Sequence, residues 1–221
     1  MESGSEKQHG GAAELFKFGS FTKNRVEAFT DGIFAIIVTL LILEIKVPHL
    51  GQQESVAELL ASIVSLSPKF ISWVISFLTI CIIWMNHHRV FDMFKGINVG
   101  LFWLNTHLLL WVCFLPFPTA LLGDYPRNPL AVAFYGIAMA ATGFSFALTR
   151  FYGLKNKGLL KETVCLATYK KALVFGFLLG TVAYIVAAAF AWVNTLISFA
   201  LYFIIAVYFL FSFATKTGNV K

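Results

Sequence analysis

Four side chains able to carry a proton or a metal lie within or beside strongly apolar sequence: Asp31, His87, His88 and His107. A carboxylate and imidazoles could make a proton relay, a metal site or an acid–base pair, and their spacing decides which. Asp31 follows Arg25 by six residues, about 9 Å along a helix. An ionisable group inside a membrane span is costly and faces protein or water. In the next apolar run, which returns in the opposite direction, Trp84, Asn86, His87 and His88 stand just before Arg89 and reach a comparable depth. An indole N–H, an amide and an imidazole are suitable donors to a buried carboxylate. These residues predict a polar knot between the first two runs, with Arg25 as a further partner. Asp31 is then either an ion or proton site or a packing staple. Helical phase favours the staple, because Asp31 lies about 140° around the helix from Ile36.

A metal site is not expected. Neighbouring His87 and His88 point about 100° apart, poor chelating geometry even with Asp92 and His107 as extra ligands. An intramembrane enzyme built on His87, His88 and Asp31 would lack a nucleophile–base pair. Asn105, Thr106 and His107 fall near the middle of a third run and need partners there, in interhelical hydrogen bonds or a water-filled cavity. Pro116-Phe117-Pro118-Thr119 must break that run near its outer end. The carbonyls this frees either face a vestibule or are met by neighbouring spans. Ile36, Thr39, Leu40 and Leu43 recur at i, i+3, i+4 and i+7, one helical stripe, which periodicity alone assigns to packing.

The elements that must position these residues are membrane spans. Of 221 residues, 58% are hydrophobic and 13% charged, and the mean hydropathy is +0.77. A soluble domain is about a quarter charged, and a chain this apolar needs lipid as solvent. At about 20 residues per crossing, spans are expected over 26–45, 70–86, 97–115, 130–149, 172–193 and 195–214. A short interfacial helix is expected over 52–65. The fifth and sixth spans meet at Asn194 as an antiparallel hairpin. The expected organisation is a tail over 1–23 without a signal peptide, a six-helix domain over 24–215 and a tail over 216–221. No segment repeats. Cys81, Cys113 and Cys165 have neither disulfide nor metal spacing.

The net charge of +6 does not indicate nucleic acid, because the cations sit in clusters between apolar runs. Fourteen of the 17 lysines and arginines fall in the tails and the second-to-third and fourth-to-fifth loops. Only Lys46, Lys69 and Arg127 fall on the other side. Positive charge stays inside, so both termini are expected in the cytoplasm. The fold class is therefore an all-α integral membrane protein of six transmembrane helices.

Arg25-x-x-x-Phe29-Thr30-Asp31 closely resembles the Arg-x3-Phe-Ser-Asp signature of the transmembrane protein 175 family, with Thr30 keeping the hydroxyl. Agreement continues through Gly32 to Ile36, Thr39 to Ile45, Trp84 to Arg89 and Leu115 to Gly123. It covers the first three spans well and the last three in length and topology. The resemblance implies a potassium-permeable cation channel rather than an enzyme. A single-repeat chain of this kind looks like the prokaryotic branch, which assembles as a homotetramer in the plasma membrane with the first helix lining the pore. The family lacks a carbonyl-type selectivity filter, and no Thr-Val-Gly-Tyr-Gly run occurs here. Carried over, Ile36 and Leu43 match the apolar constriction and Thr39 the hydroxyl layer between them, with Leu40 offset on the same face. Partners would be lipid, potassium ions and further copies of the chain, with no cofactor and no bound metal. Rival readings are a secondary transporter, which would favour internal repeats and discontinuous midplane helices, and the intramembrane enzyme above.

Overall fold

The computed structural model describes residues 22–51 and 55–217, with side chains described as far as Leu210. The predicted tails fall largely outside the described residues, although Lys23 already starts a helix and Lys216 continues one.

Among the described residues the chain is helical. Helix α1 spans Lys23–Leu40 and tightens into a 3-10 turn over Leu41–Glu44. Helix α2, Val56–Ser65, is the expected short amphipathic segment. Ser55 caps it by accepting from Glu58 N at 3.2 Å, and it has no buried residue. Gln52, Gln53 and Glu54, also expected in that helix, lie outside the described residues. Helix α3 covers Ser67–Asp92 with Pro68 in its first turn, where the missing N–H costs nothing.

Helices α4, Val99–Phe114, and α5, Pro116–Asp124, together make one apolar segment. Helix α6 is Pro129–Lys155. Helix α7, Leu166–Phe177, runs through a π turn at Leu178–Val182 into α8, Ala183–Phe190. Helix α9 is Thr195–Thr217.

Among the described residues, five segments are long and apolar enough to cross a membrane: Lys23–Glu44, Ser67–Asp92, Val99–Asp124, Pro129–Lys155 and Leu166–Phe190. The expected sixth span lies on α9, which is apolar over Thr195–Leu210. A tight turn closed by Asn194, whose Oδ1 accepts from Leu196 N at 2.8 Å, joins it to α8 as the hairpin expectation required.

The third span differs from the sequence expectation, which stopped it at Leu115. Leu115 keeps right-handed helical angles (φ −56°, ψ −33°), and Pro116 takes the first position of the next turn. The helix therefore continues to Asp124. Leu115 O accepts from both Thr119 N (3.1 Å) and Thr119 Oγ1 (2.8 Å), and Thr119 is buried against Ser76. The carbonyls that Pro116 and Pro118 deprive of their helical donor are those of Val112 and Phe114, and Val112 O accepts instead from Leu115 N at 3.1 Å.

Helix α6 forms the central column. Its Ala131, Ala133, Gly136 and Ala138 are buried, and small residues let helices approach closely in lipid. Tyr135, Tyr184 and Tyr202 fill the space around them, and Tyr202 Oη donates to Val132 O at 2.9 Å. A second cluster of Val90, Phe91, Phe94, Leu101, Leu160 and Tyr169 closes one end of the bundle. There the α3–α4 and α6–α7 loops pair through Lys95 N to Leu159 O (2.8 Å) and Lys161 N to Met93 O (2.9 Å). Lys161 also meets Asp92 at 2.6 Å, and Lys23 Nζ reaches Phe94 O at 3.1 Å. The N-terminal end of α1 and both lysine-bearing loops thus share one end of the bundle.

Candidate functional site

Helix α1 has two unlike faces. Val26, Thr30, Phe34 and Ile37, continued by Leu41 in the 3-10 turn, are buried. They fall three to four residues apart and pack into the core beside α3 and α4. The opposite face is open in the single chain: Phe29 is 59% exposed, Ile36 58%, Leu40 44% and Leu43 60%, with Arg25, Gly32 and Thr39 also exposed. On a helix, Arg25, Phe29 and Ile36 lie within about 40° of one another. Arg25, in the first turn, can reach the membrane interface, whereas the apolar stripe beyond it is left without a partner in the single chain.

Thr39 sits between the apolar layers. Its Oγ1 donates back to its own helix, 2.8 Å from Ile36 O and 3.2 Å from Ala35 O. The hydroxyl proton is therefore engaged, and the oxygen's lone pairs turn outward, where they could accept a cation. The 3-10 turn brings a further change. With three residues per turn, side chains three apart nearly eclipse, so Leu43 swings toward the azimuth of Leu40. The sequence expectation, drawn on a continuous α-helix, had offset Leu40 from Ile36.

The predicted knot is divided in two, one half exposed and the other buried. In one half, Trp84 Nε1 donates to Asp31 Oδ1 at 2.8 Å, joining α3 to α1, and exposed His88 stacks beside Trp84. In the other, Asn105 Nδ2 donates to Thr30 Oγ1 at 2.8 Å while Asn105 Oδ1 lies 2.8 Å from His87 Nε2. Because that oxygen can only accept, His87 donates from Nε2. His87 is 2% exposed, stacked on Phe91 and beside Phe34. Arg25 makes no ion pair with Asp31 among the described residues. Asn86 turns to a different cavity, lined also by Thr142 and Tyr184, and does not join the knot.

The residue that sequence reasoning placed outside the knot is Asn105. Its position in the middle of a span signalled a need for partners, but nothing along the chain names Thr30 as one. His107 makes the other interhelical link: its Nδ1 lies 2.9 Å from Ser145 Oγ, and Trp111 Nε1 donates to Nε2 at 3.3 Å. Ser145 donates to Ala141 O, so His107 carries its proton on Nδ1. Thr106 bonds to Phe102 O of its own helix. Among the described residues no group of three His, Cys, Asp or Glu side chains could hold a metal.

Residues 25–116 match the family described as endosomal/lysosomal potassium channel TMEM175. A potassium channel of Chamaesiphon minutus is 35% identical over 188 residues, covering 84% of this chain and 92% of the relative. The chain belongs to the TMEM175 family. A potassium channel of Streptomyces collinus is 34% identical over 192 residues, covering 85% of this chain and 91% of the relative. The crystal structure of a lysosomal potassium-selective channel TMEM175 homolog from Chamaesiphon minutus superposes with a TM-score of 0.74 at 32% identity, covering 86% of this chain and 97% of that one. The members named here are channels, not enzymes. The TMEM175 match takes in α1, α3 and most of the α4–α5 segment, the elements that build the open face and the knot.

Proposed function

We propose that the protein is a potassium-permeable cation channel, a homotetramer whose pore is lined by α1, with both termini on the cytoplasmic side of a prokaryotic plasma membrane. The observation that carries this reading is the two-faced first helix. One side is locked to the bundle by the Asp31–Trp84 and Thr30–Asn105–His87 bonds, and the other leaves Ile36, Thr39, Leu40 and Leu43 open. The channel names of the relatives support it.

Four copies would bring four such faces to one axis. Rings of Ile36 and of Leu40 with Leu43 then form an apolar constriction, and a narrow apolar ring sets a dehydration barrier. Potassium is less strongly hydrated than sodium and loses less on entering. Four Thr39 oxygens, their protons engaged by the helix, offer acceptors that replace part of the lost hydration. Asp31, Trp84, Asn86 and His87 serve structure in this scheme rather than conduction, and no cofactor takes part. A transporter would favour discontinuous midplane helices. Leu115, between α4 and α5, keeps helical angles, which speaks against that rival.

The test is potassium flux into liposomes under a gradient, with chemical cross-linking of the same preparation. Fast, uncoupled, voltage-driven flux and a four-chain limit product are expected. Flux that saturates, or that stops without a coupled ion, would replace the channel with a carrier.

A further inference from the structure

A cleft of about 610 Å³ opens between α3, α6, α7 and α9, on the side of the bundle away from the open face of α1. At its mouth stand Arg89 of α3, Arg150 of α6 and Thr168 of α7; deeper in, the walls are Phe146, Phe175 and Phe209. Arg150 is half-buried, and its Nη1 is out of contact with solvent and has no hydrogen-bond partner among the described residues. A buried guanidinium carries a desolvation cost that the charge of a nearby anion would offset. Asp92 also borders the cleft, but Lys161 holds its carboxylate at 2.6 Å. Arg150 itself makes no ion pair among the described residues, and Lys170 and Lys171 line the adjoining hollow.

We propose that this cleft holds an acidic phospholipid of the cytoplasmic leaflet. Its phosphate would sit at Arg150 and Arg89 and its glycerol-proximal chain between the phenylalanines. Planar guanidinium groups match phosphate oxygens in pairs, and basic pockets between spans on the cytoplasmic side suit acidic headgroups. The apolar depth distinguishes lipid from a free anion. From Arg150 the cleft follows α6 seven residues to Gly143, about 10 Å. There the bare backbones of Gly143 and Gly180 lie against each other at the π turn and leave the floor without side chains. A phosphate ion would have no use for that depth. The inference rests on the proposed orientation of the bundle and not on what the pore conducts.

The experiment titrates detergent-solubilised protein with phosphatidylglycerol, with phosphatidylcholine and, separately, with inorganic phosphate, following the thermal unfolding midpoint and lipid retention by native mass spectrometry. The wild type should be stabilised at about five- to tenfold lower phosphatidylglycerol than phosphatidylcholine, and phosphate alone should do nothing. Arg150→Gln should abolish that preference. Because Arg150 is half-buried and its loss could unfold the protein, Thr168→Glu serves as the second variant. Thr168 is exposed, so the change leaves the packing intact and sets a carboxylate at the mouth. It too should abolish the preference. Equal stabilisation by both lipids, an equal shift from inorganic phosphate, or a folded Thr168→Glu protein that keeps the preference would each overturn the proposal.

Discussion

Asn105 Nδ2 lies 2.8 Å from Thr30 Oγ1, so the third span grips the first one residue away from Asp31, whose carboxylate is held by the second. Helix α1 is thus fixed by two different neighbours at two consecutive residues, and its rotation about its own axis is set by that pair of bonds. The azimuth of Ile36, less than two turns further on, follows from it.

Asn105→Leu should break the inner link and leave Thr30 and His87 buried without a partner. Loss of one partner of a buried hydrogen bond costs about 1–3 kcal/mol in general, with values near 0.6 typical between membrane helices. A fall of about 1–2 kcal/mol in unfolding free energy in detergent is expected. Chemical denaturation curves check it. His87→Phe in the same background should add little, since its polar partner is already gone. Full additivity of the two changes would mean that Asn105 and His87 do not act together.

Asp31→Asn and Trp84→Phe should each lower yield or thermal stability before altering permeation, because the first turns the charge-assisted bond between α1 and α3 into a weaker neutral one and the second removes it. The double variant should be no worse than Trp84→Phe alone. Size-exclusion profiles and melting curves measure assembly. A variant that assembles normally but changes ion preference would place Asp31 on the conduction path.

Gly143→Ala should destabilise the bundle, since an added Cβ would meet the Gly180 carbonyl oxygen, backbone that has nowhere to go. Overpacking of this kind costs about 1–3 kcal/mol. Gly176→Ala, where a Cβ meets nothing within 4 Å, is the matched control and should be neutral or slightly stabilising. Thermal melts of the two proteins side by side decide it.

Much of this architecture is legible in the chain because lipid imposes length. The five long apolar segments fall where the hydropathy puts them, and Asp31 with Trp84 shows as a knot because charge in a span needs an answer. The stretch past Pro116 was not legible. A proline reads as a break, and here Pro116 opens α5 at its first position, so helix resumes at once and runs to Asp124. The π turn at Leu178–Val182 and the 3-10 turn at Leu41–Glu44 leave no sequence mark either, since each is a response to packing. The link from Asn105 to Thr30 joins residues 75 apart. Each residue announces a need for a partner, and only the register between helices says which one it finds.

Topology is tested by single cysteines in a background free of Cys81, Cys113 and Cys165. A cysteine at Asn128 should react with an impermeant thiol reagent on intact cells, and one at Asn156 only after the membrane is opened. Both side chains are exposed, so accessibility is not limited by packing. The reverse pattern would invert the orientation that the lysine and arginine distribution supports.

The constriction is where the proposed function is most exposed to test. Ile36→Ala or Ile36→Asn should raise single-channel conductance, because an apolar ring that widens or wets loses its dehydration barrier. Thr39→Val keeps the width and removes the oxygen that Ile36 O and Ala35 O now orient. If the Thr39 ring favours potassium over sodium by about 1 kcal/mol, its removal lowers the permeability ratio about fivefold. Leu40 and Leu43, drawn together by the 3-10 turn, should behave as one layer. Leu40→Ala and Leu43→Ala are each expected to raise conductance by a similar factor, and the double variant only slightly more. An unbroken α-helix predicts a larger effect at Leu43, so the comparison also tests the geometry of the turn. The measurement is single-channel current with reversal potentials under bi-ionic conditions on protein shown to assemble. Ile36 and Thr39 variants that assemble yet leave conductance and reversal potential unchanged would reduce this face to packing and move the pore elsewhere.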